Sequence, residues 1–399
     1  MRQVLWGRVF VKVPSLTVAA SVSLARGCIT LRYTDHLLLP VRTHAANPGW
    51  AKLCNVDTVQ YLDDQGKPLQ DLPLSQEELL LGYRALRRAR HFDERALVLQ
   101  RQGRLGVYPP FRGQEAAQVG VALCLQADHD WLLPSYRESA AALTFGMPIS
   151  RLILSWRADP AGWGAPPNVN MVQFYIPIAT QIPQAAGVAH AQRLLGKDAV
   201  AAVFIGDGGT SEGDFHEGLN FASVFGAPLL VVVQNNGWAI SVPTHKQMKV
   251  KRIAQRAQGY GIPGVVVDGN DLVAVWSVAR EAVARARRGE GPTLIEALTY
   301  RVAPHTSSDD PSRYRTEEET ARWQQRDPIM RMKNCLLHLG LWSEAQEAEL
   351  TEALEGEFLA AVEEADQAQE PKPWEIVEQV YAEMQPDQKA AWNYLRGEV

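Results

Sequence analysis

Two segments separated by one helix and one strand constrain this chain more than anything else in it. The first is Val203-Phe-Ile-Gly206-Asp207-Gly208-Gly209-Thr210-Ser211-Glu212-Gly213, and the second is Val233-Gln-Asn235-Asn236-Gly-Trp238. An apolar strand that runs out at Ile205 leaves Asp207 at the carboxyl edge of a sheet, and the glycines let the backbone turn tightly and approach an anion. Asp214 to Phe225 reads as a helix whose first turn aims free N–H groups and a positive dipole end at that loop, where a phosphate is welcome. Leu229 to Val233 reads as a buried parallel strand, returning the chain so that Asn235 and Asn236 lie beside Asp207. The two ends together make a diphosphate and divalent-metal site.

Magnesium takes oxygen ligands in an octahedron and shares them with substrate phosphates. Asp207, the side-chain oxygen of Asn236 and the backbone carbonyl of Trp238 supply three. Alone, Gly206-Asp207-Gly208 is a tight strand-to-helix turn and Asn235-Asn236 a turn with left-handed residues. Their combination at this spacing points to chemistry.

The chain has 399 residues, 46% hydrophobic and 21% charged, with a net charge of −5. That suits one large α/β domain with helical additions and gives no reason to invoke nucleic acid. Cys28, Cys54, Cys124 and Cys335 are scattered singly, which suggests neither zinc ligation nor a disulfide framework and makes a reducing cytoplasm the expected location. Residues 1–50 differ from the rest: Arg2, Arg8, Lys12, Arg26, Arg32 and Arg42 face a single acid, Asp35. The bias resembles a presequence, yet Pro14 and serines break its apolar portion, and no uncharged run is long enough to span a membrane. The expectation is an unstructured extension from a start placed too far upstream, with a targeting segment as the alternative.

Farther along, Ser75-Gln-Glu-Glu78 is a capping box opening a long helix with Leu79, Leu80, Tyr83, Leu86 and Phe92 at helical spacing. Asp128 to Leu133 enters the sheet, and the Pro, Gly and Asn between Ala158 and Tyr175 read as a loop crossing its edge. Gly264 to Val267 and Thr293 to Leu298 read as strands on either side of a helix over Asp271 to Arg288. The last strand delivers Tyr300, Arg301 and His305 to the same edge as Asp207. Thr316-Glu-Glu-Glu319 and Ser343-Glu-Ala-Gln346 read as further capping boxes, Asp327-Pro328 restarts a helix between them, and Leu350, Leu354, Phe358, Leu359 and Val362 form an apolar stripe. The expected domains are 51–315, an α/β domain, and 316–399, a helical region packing on it and on partner subunits.

The pattern from Gly206 through Asn236 resembles the thiamine diphosphate motif. Arg101 to Tyr108, Pro134-Ser-Tyr136-Arg137-Glu138, Ile178 to Gly187 and Tyr300 to Arg315 extend the likeness from about Ser75 to about Met384. Over that span the chain resembles the alpha subunit of the decarboxylating component of 2-oxo acid dehydrogenase complexes. The resemblance implies a thiamine diphosphate-binding fold, with a doubly wound, mainly parallel sheet, flanking helices and a helical C-terminal extension. It places Gly206, Asp207, Gly208, Gly209 and Asn236 on the diphosphate and its magnesium, with Tyr136, Arg137 and Arg301 adding contacts. It also implies a potassium ion held around Pro177, Thr180 and Gln181, and a bulky Ile178 supporting the bent cofactor. His305 is implied to touch the diphosphate and to help acyl transfer, and Thr306 falls where mammalian relatives carry a phosphorylated serine.

Two departures are visible. Ile176 stands where the family commonly has a small polar residue near the aminopyrimidine. Gly164-Ala-Pro-Pro-Asn-Val-Asn-Met171 replaces a Met-Pro-x-His element, so that histidine has no counterpart here. The implied reaction is oxidative decarboxylation of a 2-oxo acid, with the acyl unit passed to the lipoyl group of a dihydrolipoyl acyltransferase. The activating glutamate is expected from a separate beta subunit, hence an α2β2 heterotetramer. Ala179 to Gln184 and His305 to Asp310 favour a branched-chain acid such as 2-oxoisovalerate; the loop before them favours pyruvate. An acetoin-type alpha subunit ranks third, and a non-catalytic scaffold subunit is the reading from another class.

Overall fold

Successive residues of the central strands face opposite helical layers, and that alternation explains why their sequences are apolar throughout. Ala202, Phe204, Leu230, Val232, Val265, Val267, Ile295 and Ala297 belong to one core, while Ala201, Val203, Ile205, Leu229, Val231, Val233 and Leu294 belong to another on the far side. A strand buried on both faces gains from β-branched residues at every position. Shortening one of the larger inward groups, such as the fully buried Phe204, to alanine costs about 3–5 kcal/mol.

The computed structural model describes residues 57–369, 372–378 and 382–398, together with the backbone of 7–13, 16–25 and 28–33. It divides into two compact units, Met1–Trp50 and Ala51–Val399. In the first, β1 (Gly7–Val13), β2 (Leu16–Ala25) and β3 (Cys28–Tyr33) pair antiparallel in that order. The physical reason lies in Val9, Val11 and Val13 opposite Ala20, Val18 and Leu16, a period-two run of strand formers.

In the second unit, β4 (Trp131–Leu133), β5 (Ala201–Gly206) and β6 (Leu229–Asn235) precede a two-residue ribbon, β7 (Trp238–Ala239) with β8 (Val242–Pro243). β9 (Gly264–Asp268) and β10 (Thr293–Leu298) complete the set, and the main sheet is parallel in the order β4-β5-β6-β10-β9. Gly206 pairs with Gln234 and Leu298 with Asn235, so three strands end in register at one edge. Helices Gln76–Arg101, Glu115–Ala122 and Leu272–Arg287 cover one face, and Gln181–Leu194 and Gly213–Val224 the other. The doubly wound α/β architecture is as expected. Among the described residues no helix is long and apolar enough to cross a membrane.

Helix ends follow their caps, with one difference. The Ser75 box is complete, Glu78 reaching back to the Ser75 N–H at 2.8 Å. Thr316 and Ser343 cap their helices, but neither box closes: Glu319 instead accepts from Trp238 Nε1 at 3.2 Å, and Gln346 accepts from the Ser343 hydroxyl. For Glu319 a tertiary donor outcompeted the local one. The stripe on helix Glu344–Asp366 packs on this chain itself. Leu354, Phe358 and Val362 are buried, Leu350 is partly so, and only Leu359 stays outward, 51% exposed.

Candidate active site

The loop after β5 begins with Asp207, which is buried although it carries a carboxylate. Its Oδ2 accepts from the Thr244 hydroxyl at 2.8 Å, whereas Oδ1 is buried with no partner. Burial pushes this carboxyl up to about 6. A buried carboxylate oxygen left without a donor is costly unless a cation meets it. Gln247 holds the same loop by its backbone, its Nε2 donating to the carbonyls of Asp207 and Gly208 at 2.7 and 3.0 Å and to Ser211 Oγ at 3.0 Å. Gly209 can only be glycine here, because a Cβ would lie 2.6 Å from the Ile205 side chain and 2.9 Å from Ile178. At Gly206 a Cβ would meet nothing within 4 Å, so the backbone there borders open space.

Asn236, at the end of β6, faces this loop. Its Oδ1 is identified by the Trp238 N–H that donates to it at 3.2 Å, which sends Nδ2 to Gln114 Oε1 at 3.1 Å. An amide oxygen has a second lone pair, so Asn236 can still serve a cation. Among the described residues no group of three His, Cys, Asp or Glu side chains is placed to hold a metal ion. A cation would therefore rest on Asp207, amide and backbone oxygens, and oxygens of its ligand, a set suited to a hard ion.

The opposite wall is cationic. Arg137, just after β4, and Glu138 are both buried, and no described ion pair joins them. Its guanidinium donates to the carbonyls of Pro110 and His305 at 2.7 and 2.9 Å. Arg137 and Arg301 also converge on His305 Nδ1, at 3.1 and 3.2 Å. Guanidinium groups only donate, so Nδ1 must accept and Nε2 carries the proton. Burial, then the two arginines, hold this imidazole down to about 4. Arg301 further donates to the Ile240 carbonyl at 2.6 Å and to Tyr314 OH at 3.0 Å, and its Nε is buried without a partner. Ile240 and Ala179 have φ of 53° and 73°, conformations a side chain disfavours and ones that concentrate at functional sites.

These groups share one cleft of about 250 Å³, lined by Tyr136, Arg137, Ile178, Gly206 to Gly209, Asn236, Trp238, Arg301 and His305. Ile176 is not among its walls and is 69% exposed. Pro177, Thr180 and Gln181 lie to one side. The Thr180 hydroxyl donates to the Pro177 carbonyl at 2.9 Å, and Gln181 Nε2 to the Phe204 carbonyl at 2.8 Å, leaving Gln181 Oε1 buried and unpartnered.

Sequence reasoning missed the polar frame behind the cleft. Gln118 Nε2 donates to Gln234 Oε1 at 2.9 Å, and Gln234 Nε2 to Glu138 Oε1 at 2.6 Å. Gln118 Oε1 accepts from the N–H groups of Ala140 and Ala141. A single glutamine inside the apolar run Glu115–Ala122 and another at the end of a valine strand were the available signals. Thr244 and Gln247 offered none, since their role exists only through contact with the Asp207 loop.

The donor set fits a diphosphate-bearing cofactor: two buried guanidiniums, glycine backbone beside open space, and a carboxylate oxygen awaiting a cation. Comparison with known proteins agrees. Residues 83–374 match the family described as dehydrogenase E1 component. The chain is 44% identical over 354 residues to the 3-methyl-2-oxobutanoate dehydrogenase subunit alpha of Mycobacterium tuberculosis, covering 86% of this chain and 95% of that protein. It is 42% identical over 332 residues to the pyruvate dehydrogenase E1 component subunit alpha of Staphylococcus aureus, covering 82% and 90%. On that extent of likeness, the chain belongs to the dehydrogenase E1 component family, as an alpha subunit of the thiamine diphosphate-dependent oxidoreductases of 2-oxo acid dehydrogenase complexes.

Proposed function

We propose that this subunit takes part in oxidative decarboxylation of a branched-chain 2-oxo acid, 2-oxoisovalerate (3-methyl-2-oxobutanoate), and in passing the resulting acyl group to the lipoyl group of a dihydrolipoyl acyltransferase. The observation that carries the chemistry is the meeting of Asp207, Asn236, Arg137, Arg301 and His305 in one cleft at the carboxyl ends of β4, β5, β6 and β10. The branched-chain preference is supported by the Ala179 to Gln184 and His305 to Asp310 segments and by likeness to the mycobacterial subunit.

Bound thiamine diphosphate supplies an electron sink for the charge left when carbon dioxide departs. The chain's own groups hold and polarise. Asp207 Oδ1, Asn236 Oδ1 and the Trp238 carbonyl would hold a magnesium ion, and Arg137 and Arg301 would neutralise phosphate oxygens. Tyr136 and Ile178 border the same space. His305 stays neutral at physiological pH, so its Nε2–H is a hydrogen-bond donor during acyl transfer and does not add a third cation. The Pro177 carbonyl, Thr180 Oγ1 and Gln181 Oε1 would hold potassium, the unpartnered Gln181 oxygen being the support for that assignment. The activating glutamate comes from a beta subunit in an α2β2 assembly, so the alpha chain alone is inactive.

The test is turnover by the chain co-expressed with a candidate beta subunit, supplied with thiamine diphosphate, magnesium and an artificial electron acceptor. Faster turnover of 2-oxoisovalerate and 4-methyl-2-oxopentanoate than of pyruvate is expected. Faster pyruvate turnover would replace the substrate assignment with the second reading, which the Gly164 to Met171 loop and the staphylococcal relative favour.

A further inference from the structure

We infer that the basic segment His245 to Arg252 is an electrostatic docking surface for an acidic protein domain, namely the carrier that presents the acyl-accepting arm to this subunit's cleft; the inference rests on the alpha-subunit reading above. Between Glu217 and Asp268 the sequence contains no Asp or Glu, yet it carries Lys246, Lys249, Lys251, Arg252 and Arg256, in a chain whose net charge is −5. A one-sign stretch of that length inside an acidic protein sets up a local field that steers an oppositely charged partner.

The three lysines are exposed, and among the described residues none of them forms an ion pair or hydrogen bond within the chain. They line a broad cleft of about 1100 Å³. Trp238 lines both this cleft and the cofactor cleft, so an occupant of one stands against the wall of the other. The segment is also tied to the chemistry by its first residues, since Thr244 and Gln247 hold the Asp207 loop.

The arrangement favours a protein surface over a nucleotide or a free phosphate. Phosphate sites gather backbone N–H groups or guanidinium forks onto one point. Here single flexible ammonium groups follow one another along the chain, the first within a four-residue helix and the others beyond it. The Trp323 ring on this rim is already engaged, stacked on Tyr300 at 5.3 Å with the Arg326 guanidinium 5.0 Å from its centroid. Spaced lysines on a wide rim give on-rate and orientation more than tight binding, which suits a carrier that must come and go.

The experiment compares the assembled complex of wild-type chain and beta subunit with two variants, K246E/K249E/K251E and the charge-keeping K246R/K249R/K251R. Two rates are read: turnover with an artificial electron acceptor, which needs no carrier, and reductive acylation of the free lipoyl-bearing carrier domain. In the glutamate variant kcat/KM for the carrier should fall by about tenfold or more with artificial-acceptor turnover unchanged. The arginine variant should match wild type, and the wild-type carrier rate should fall as salt rises. Carrier kcat/KM within about twofold of wild type in the glutamate variant would overturn the inference. Loss of artificial-acceptor turnover or of beta-subunit binding in that variant would also overturn it, assigning the lysines to the site or the subunit joint. A wild-type complex that turns over no 2-oxo acid even with the artificial acceptor would refute the alpha-subunit reading itself.

Discussion

Two buried polar clusters lie at the carboxyl ends of strands of one sheet, and they are built on opposite rules. Beyond β9, Asp268 accepts from Arg331 at 2.9 Å and Arg326 at 3.0 Å, and its other oxygen from the Asn270 N–H. Asp271 accepts from the N–H groups of Tyr61, Leu62 and Ala274, and Arg331 also donates to the carbonyls of Asp63 and Leu62. Every charge there has its partners, and the cluster ties the Tyr61 segment to helix Pro328–His338. Beyond β5 and β6, Asp207 Oδ1, Gln114 Nε2 and Arg301 Nε are buried and unpartnered. A satisfied cluster holds the fold, whereas an unsatisfied one holds something else.

That contrast is broken most directly at Asp207. Asp207→Asn should lower kcat/KM of the reconstituted complex about a thousandfold, while the thermal midpoint stays level or rises, because an uncompensated carboxylate has been removed. If activity survived, the unpartnered oxygen would have no ligand role. The mirror experiment is Arg331→Leu, which leaves Asp268 and Asp271 facing burial with less compensation. Urea unfolding should show a loss of about 3–5 kcal/mol, with turnover per folded molecule unchanged.

His305 sharpens the comparison, because its partners restrain it without charging it. His305→Asn should slow acyl transfer about a hundredfold. The wild-type pH profile of that step should show no break from this group between pH 5.5 and 8, since burial and the arginines hold it down to about 4. For stability the sign is fixed by the depressed pKa. As pH falls from about 7 the unfolded chain takes up the proton first, so the native state loses stability progressively through the ordinary histidine range down to about 4.

The smallest effect belongs to an unpartnered oxygen outside the cleft, Asp93 Oδ2. Burial pushes this carboxyl up to about 7, with Tyr108 OH and the Phe111 N–H donating to its other oxygen. The unfolded chain releases this proton first as pH rises from about 4, so the stability that Asp93 contributes when protonated fades by pH 7 and above. Asp93→Asn should flatten that slope in denaturation curves without altering turnover. It tests whether an orphan oxygen with its own proton can be told from one that needs a cation.

Much of this architecture was legible in advance because local rules and tertiary demands agree. The helix expected over Asp214 to Phe225 runs from Gly213 to Val224, and Asp271 caps Leu272–Arg287 as its position suggests. Asp207, Asn236, Arg137, Arg301 and His305, chosen from motifs far apart in sequence, line a single cleft. Legibility ended where a side chain's role depends on a distant partner. Gln118 and Gln234 meet across 116 positions, and no local pattern encodes that meeting. Glu319 looked like half of a capping box and became the acceptor for Trp238.

The convergence of Arg137 and Arg301 on one imidazole nitrogen reaches beyond the cleft. Neither guanidinium has a carboxylate among its described hydrogen-bond or ion-pair partners, and burial followed by Arg137 holds Arg301 below its usual basicity. The fold thus carries a pocket of frustrated positive charge that an incoming dianion relieves. Anion affinity and conformational stability then become one quantity read in two ways, because whatever binds the native chain alone also resists its unfolding. Conditions that deplete such an anion would therefore shorten the subunit's lifetime as well as slow its chemistry, making abundance itself a gauge of cofactor supply.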